Sequence, residues 1–449
     1  MATTLIHGGT VVDGGRRRRA DIVVDGGRIT EVNENPKAHP GASYSEEIDA
    51  TGCLVLPGVI DSHVHFREPG LTAKADIASE SRAAAAGGVT TFFDMPNCVP
   101  QTTNLEALHD KQQRAGRESM VNHAFFFGAT NDNAGLFSQL DPTSVPGIKL
   151  FMGSSTGNML VDRSEALERI FGEAARLALP VMAHCEDTSV IQGNAQEAQR
   201  RWGEDPAVGH HPEIRSREAC LASTSMAVAL AKKHGAHLHV AHLSTADELP
   251  LIDGRHVSGE LCVGHLVFCD EDYRRLGALI KVNPAIKRRS DRDALRRFLN
   301  APDTGAGATL TIGTDHAPHL LEEKQGGAMR AASGMPLVQF ALPLMLGLTD
   351  EGVLTVERMV QLMCHHPADL FGVSGRGHLQ PGHQADIVLV RRREWTLTPE
   401  QILSKCAWSP LTGHHFTWAV ERTLCNGVTV WREGQVATQN AGQAVRFRR

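Results

Sequence analysis

His63-Val64-His65 closes the apolar run VIDSHVHF. Residues two apart on an extended chain point to one side, so one cation could take both imidazoles. Alone, such a pair more often means two histidines on a surface strand. Four further positions change the weighing: Lys149 in GIKLFMG, His184 after PVMA, His242 after HLHVA, and Asp315 after TLTIGT. A single histidine or aspartate of this kind is usually a satisfied core or capping residue. Four histidines and an aspartate ending four separate apolar runs would leave clustered polar groups unpaired unless they share a ligand. The set therefore reads as a metal site. His237 and His239 compete with His242 on their run, and His242 is preferred as the residue nearest its end. Lys149 is the odd member, because an ammonium has three donors and no lone pair. A buried lysine readily loses its charge, and its neutral amine can add carbon dioxide to form a carbamate. Two anionic oxygens would then be available to bridge two metals.

Scattered residues of this kind need elements that deliver them to one place. Between 57 and 375, eight short apolar runs alternate with helix-forming stretches such as SEALERIFGEAARLA, which predicts parallel βα units. Eight of them suggest a (β/α)₈ barrel, whose active site forms at the C-terminal strand ends. The sequence places strand seven at LCVGHLVF, with His265 at its end in a structural role. Residues 1–56 and 376–449 read instead as short strands with hairpin signals at Asp25-Gly26-Gly27 and Asn426-Gly427. Both termini are expected to pair into one small sheet domain, a β-sandwich.

Composition narrows the class. With 449 residues, 41% hydrophobic and 21% charged, the chain can bury a deep core, and its net charge of −6 argues against nucleic-acid or membrane-surface binding. The arginine runs Arg16 to Arg19 and Arg391 to Arg393 read as a solvated hairpin and a solvated strand end. Nine cysteines without a CxxC pair fit reduced thiols in a cytoplasm. The start lacks a basic, then apolar, leader pattern, and no long apolar run is found.

The order HxH, Lys, His, His, Asp after strands one, four, five, six and eight resembles the amidohydrolase superfamily across nearly the whole chain. Asp61-Ser62-His63-Val64-His65-Phe66-Arg67-Glu68-Pro69 is similar to the first signature of the dihydroorotase family. Gly313-Thr314-Asp315-His316-Ala317-Pro318-His319, followed by Lys324, is similar to the second. The resemblance implies two zinc ions per subunit, the more buried held by His63, His65 and Asp315, the other by His184 and His242. N6-carboxylated Lys149 would bridge them. Asp315 would be the catalytic proton carrier. Arg67, Asn97 in FFDMPN, Asn283 in KVNPAIK and His319 would bind dihydroorotate, with a backbone contact from Gly334. Without the resemblance, Asn97 reads as a cap, Asn283 as a turn former and His319 as a solvated histidine. Gly209-His210-His211-Pro212 is ligand-rich but falls between helices and is left out.

The implied activity is reversible hydrolysis of dihydroorotate to N-carbamoyl-aspartate in pyrimidine synthesis. Allantoinases and dihydropyrimidinases or hydantoinases share the metal set and stand as alternatives. A metal-free scaffold partnering aspartate carbamoyltransferase is the reading from another class, and six filled ligand positions oppose it. A homodimer or higher homo-oligomer is implied by family habit, and association with aspartate carbamoyltransferase stays open. GSSTGNML, after Lys149, is the candidate for a closing loop.

Overall fold

The computed structural model describes residues 3–34, 43–153, 159–303 and 309–449. Most of the candidate closing loop, residues 154–158, lies outside them. Eight parallel strands follow one another in chain order: Val59–Val64, Val89–Asp94, Asn122–Phe125 continued by Phe127–Gly128, Ile148–Phe151, Val181–His184, Leu238–Val240, Val257–Cys262 and Leu310–Gly313. They are buried throughout, which is why they read as continuous apolar runs rather than as alternating ones. The ring closes where His65 N–H donates to His316 O at 2.7 Å and Val64 bridges to His316.

Outer helices start at side-chain caps. Asp76, Asn104, Asp187 and Ser216 each accept from a backbone N–H two or three positions on, ahead of Ile77–Ala86, Leu105–Glu118, Thr188–Trp202 and Arg217–His234. In Ser164–Arg176 the buried positions are Ala166, Leu167, Ile170, Phe171 and Ala174, the three-and-four spacing of a face laid on the strands. Among the described residues no helix is long and apolar enough to cross a membrane.

The seventh strand corrects the sequence expectation. It is VSGELC, ending at Cys262, and Val263–Val267 winds into a short helix. Glycine and glutamate weaken its strand signal, and the glutamate is tolerated because a partner from the first strand meets it. His265 therefore sits on a helix, not at a strand end, with Nε2 3.0 Å from Pro284 O.

The sheet domain has two layers. Thr4–His7, Asp21–Asp25, Arg28–Asn33 and Glu46–Asp49 form a four-stranded sheet, and a seven-stranded sheet is drawn from both ends of the chain. In the latter, Cys53–Pro57 pairs antiparallel with Ile387–Thr396, Ile387 opposite Pro57. Ile6, Ile22, Val24 and Ile48 from one sheet pack on Val11, Val55, Ile387 and Leu424 from the other. Gly26-Gly27 and Asn426-Gly427 turn their hairpins with positive φ at both residues, the twist that matches paired strands. Arg16–Arg19 forms the edge strand of the larger sheet. Arg17 pairs with Glu357 at 2.6 Å and Arg391 with Glu421 at 2.5 Å, so part of each basic run is neutralised within the chain.

The sequence assigns 376–449 to the sheet domain, yet its last residues return to the barrel. The lower half of strand three is not paired with strand four. Instead, His123 N–H donates to Gln443 O at 3.1 Å and Val445 N–H to His123 O at 3.0 Å. Val445 and Phe447 pack among Phe93, Phe126, Met182 and Phe371.

Candidate metal centre and substrate cleft

A narrow cleft opens at the strand ends, walled by His63, His65, His184, His242 and Asp315 together with Arg67, Asn97, Asn283 and Gly334. Lys149 is fully buried among the ligands. His319 is not on the wall and stands behind Arg67. The strands deliver these residues less uniformly than alternation suggests. His63 lies within the first strand and His184 ends the fifth, but Lys149 is the second residue of the fourth, not its end. His65, His242 and Asp315 lie beyond their strands. Arg67 (φ 67°), His242 (φ 38°) and Asp315 (φ 49°) occupy left-handed backbone, a conformation costly for residues with a Cβ and concentrated at functional sites.

Two half-sites meet at His63. In one, His65 Nε2 is 3.0 Å and His63 Nε2 3.4 Å from Asp315 Oδ1, and Lys149 Nζ is 3.4 Å from His63 Nε2. In the other, His184 Nδ1 faces His242 Nε2 at 3.0 Å. The His63 and His242 rings are 5.4 Å apart between centroids. Burial lowers the pKa of His65 to about 4, with Arg67 and His63 adding to it against Asp315. It lowers His184 and His242 too. Neutral imidazoles with lone pairs are what metal ligation requires. Burial pushes the Asp315 carboxyl up, but His63, His65 and Lys149 outweigh it and hold the group well below the usual carboxylate range. The Lys149 ammonium is lowered to about 8 by burial, which Glu260 and Asp315 only partly oppose.

The neighbours set which nitrogen each ring can offer. His63 Nδ1 lies 2.7 Å from Glu260 Oε1 and His65 Nδ1 2.6 Å from Asn97 Oδ1, so both rings keep the Nε2 lone pair turned inward. His184 Nε2 lies 3.1 Å from Glu186 Oε2, and among the described residues His242 Nδ1 is buried without a hydrogen-bond partner. Four imidazoles, an ionised carboxylate and a buried lysine fit a borderline divalent cation such as zinc. A second His–Asp group, Asp13 with His365 and His378, does not. Its two rings stack at 4.4 Å and 7°, so their in-plane lone pairs run parallel instead of converging.

Several supporting residues escape the sequence reading. Glu260 is the chief one: burial pushes its carboxyl up, but His63, His239 and Lys149 hold it down at about 2. A lone glutamate in an apolar run was the available signal, and misplacing strand seven hid it. Glu186, ion-paired with Arg215, is likewise held at about 2 against burial by Arg215 and His184. Thr314 ties strand eight to strand one through Asp61, Oγ1 to Oδ2 at 2.6 Å. His211, from the GHHP segment left out above, is buried with Nε2 3.1 Å from Asn283 Oδ1 and so orients that amide. His237 and His239 both reach Ser258 Oγ, at 3.1 and 2.8 Å, and are structural. Gly334 donates its N–H to Lys281 O at 2.8 Å and its carbonyl accepts from Lys324 Nζ at 2.7 Å, so both of its backbone groups are already engaged. A Cβ there would stand 2.5 Å from Ala317 O.

A barrel with this ligand set at its strand ends defines a class, and residues 54–430 match the Amidohydrolase family, to which the chain belongs. It is 36% identical over 462 residues to an allantoinase of Rubrobacter xylanophilus, covering 99% of this chain and 98% of that one. It is 35% identical over 454 residues to a dihydroorotase of Halobacterium salinarum, covering 98% and 99%. The structure superposes on the L-hydantoinase (dihydropyrimidinase) of Arthrobacter aurescens with a TM-score of 0.92 at 28% identity, covering 99% and 100%. Its reaction is thus a hydrolysis of the cyclic amidohydrolase kind.

Proposed function

We propose that this chain is a dihydroorotase, opening dihydroorotate to N-carbamoyl-aspartate and closing it again, with two zinc ions bridged by carboxylated Lys149. The observation that carries the reading is Arg67. Its guanidinium is buried on the wall that holds His63, His65 and Asp315, where an uncharged ring amide would leave it, among the described residues, without a carboxylate at hydrogen-bond distance. Burial lowers its pKa, against Asp315, Asp94 and Glu323, only to about 10, so it is cationic at neutral pH. A substrate carboxylate supplies that partner. Neither allantoin nor dihydrouracil has one.

His63, His65 and Asp315 would hold one ion, His184 and His242 the other, and Lys149 both. When bound, the pair would supply Lewis acidity for the ring carbonyl and make water acidic at neutral pH. Asp315 is kept ionised, so its carboxylate can accept the proton of the attacking water and return it to the leaving ring nitrogen. Arg67 and Asn97 on the wall, with His319 behind Arg67, take the carboxylate end. Asn283, its oxygen held by His211, offers amide donors to the ring.

Identity alone does not separate dihydroorotase from allantoinase, so the test is a ranking. Bound zinc per chain should be measured beside kcat/KM on dihydroorotate, allantoin, dihydrouracil and hydantoin. The expected result is two zinc ions and a preference for dihydroorotate of roughly ten-thousandfold, the scale on which sites built for a polar group reject analogues lacking it. A higher kcat/KM on allantoin would move the assignment. In the same assay, Arg67→Met should keep its zinc and lose dihydroorotate turnover.

A further inference from the structure

The surroundings of His319 admit only one good arrangement of protons. Nε2 lies 3.1 Å from Arg67 Nη2 and 3.0 Å from Ser333 O, while Nδ1 lies 3.2 Å from Lys74 Nζ. Burial, reinforced by Arg67, Lys74 and Lys324, keeps the ring neutral, so it carries a single N–H. On Nδ1 that hydrogen would point at an ammonium, which has no lone pair to receive it. Glu323 Oε2, 3.4 Å away, makes no hydrogen bond with it and already accepts from Leu320 N–H at 2.9 Å. On Nε2 it donates to Ser333 O, and the Nδ1 lone pair accepts from Lys74. Both ring nitrogens are then satisfied.

The consequence falls on Arg67. Its Nε is anchored on Pro318 O at 2.9 Å. With a hydrogen on His319 Nε2, the Nη2 edge meets a donor instead of an acceptor, and among the described residues the guanidinium has no other hydrogen-bond acceptor. The opposite tautomer would give Nη2 an internal acceptor and blunt the fork. We propose that Lys74 is a specificity-determining residue, which holds His319 in its Nε2–H tautomer and thereby reserves the Arg67 fork for a substrate carboxylate. The carboxylate itself rests on the dihydroorotate reading, whereas the tautomer does not. Lys74 does not wall the cleft. It is a positioning residue, and the competing explanation is that it only staples its loop to Glu323, 2.6 Å away.

Three variants of the full-length zinc enzyme separate these. Lys74→Met removes the donor, Lys74→Arg keeps one, and Glu323→Gln removes the ion pair while sparing the Lys74–His319 contact. Imidazole ¹⁵N shifts, with His319 assigned through His319→Asn, should report Nε2–H in the wild type, in Lys74→Arg and in Glu323→Gln, and a loss of that single tautomer in Lys74→Met. The KM for dihydroorotate should rise roughly ten- to a hundredfold in Lys74→Met, the scale of a hydrogen bond to a charged group, with a much smaller change in kcat. Lys74→Arg should restore it. An Nδ1–H signal in the wild type would overturn the proposal, as would a tautomer unchanged in Lys74→Met or equal losses in Lys74→Met and Glu323→Gln. If the wild type hydrolyses only uncharged rings, the dihydroorotate reading and the specificity role fall together, and the spectra then decide the tautomer assignment by itself.

Discussion

At the scale of single residues, the legible groups are those that could touch a ligand, and the illegible ones act through another residue. His63 could be singled out because an imidazole ending an apolar run is chemically conspicuous. Glu260 could not, since it acts by accepting the Nδ1 hydrogen of His63 at 2.7 Å and the backbone N–H of His242 at 3.2 Å, across strands distant in sequence. Glu260→Gln should therefore weaken zinc affinity roughly ten- to a hundredfold, as loss of such outer partners does elsewhere, read by competition with a chelator. Lys149 gives a pH prediction. Carbon dioxide adds only to the neutral amine, and the ammonium, lowered by burial to about 8, is protonated below that value and free above it. Reactivation of metal-stripped protein by bicarbonate and zinc should accelerate as the pH rises to about 8 and then level off. A flat profile from pH 6 to 9 would count against carboxylation of this lysine.

At the scale of elements, the helices and most strands follow from caps, apolar spacing and two-face burial, but the strand ends do not. Side-chain alternation explains why His63 points inward. It does not explain His65 or Arg67, which come after the strand, one of them in left-handed backbone. Those directions come from the neighbours, as at strand two, where Lys111 on Leu105–Glu118 reaches Asp94 at 2.6 Å and Met95 O at 2.7 Å just before Asn97. Both members of the pair are buried. Lys111→Met should cost about 3–5 kcal/mol in urea unfolding, because it strands a buried carboxylate. Adding Asp94→Asn should recover part of that, since no unpaired charge is then left.

At the scale of the whole molecule, the sequence reading finds both layers of the architecture and misses how the chain's last residues are used. VRFRR alternates apolar and basic residues over only four positions, too short a run to count as a strand signal, and its charge is high. Only the gap beside strand three gives Val445 and Phe447 a place. Phe447→Ala should cost about 3–5 kcal/mol, and removal of 441–449 should bare the lower edge of strand three, giving self-association visible by light scattering. The pairing of the two chain ends was legible, because strands with hairpin signals flank a long βα repeat on either side. Arg422 meets Glu46 at 2.8 Å across 376 residues of chain, and only Gly58 separates Cys53–Pro57 from the first barrel strand. During synthesis the barrel strands emerge in the order in which they pair, whereas Cys53–Pro57 waits for a partner made after the whole barrel. A nascent chain can thus close its barrel while an apolar ribbon beside it is still unzipped, and the surface left uncovered in that interval lies there.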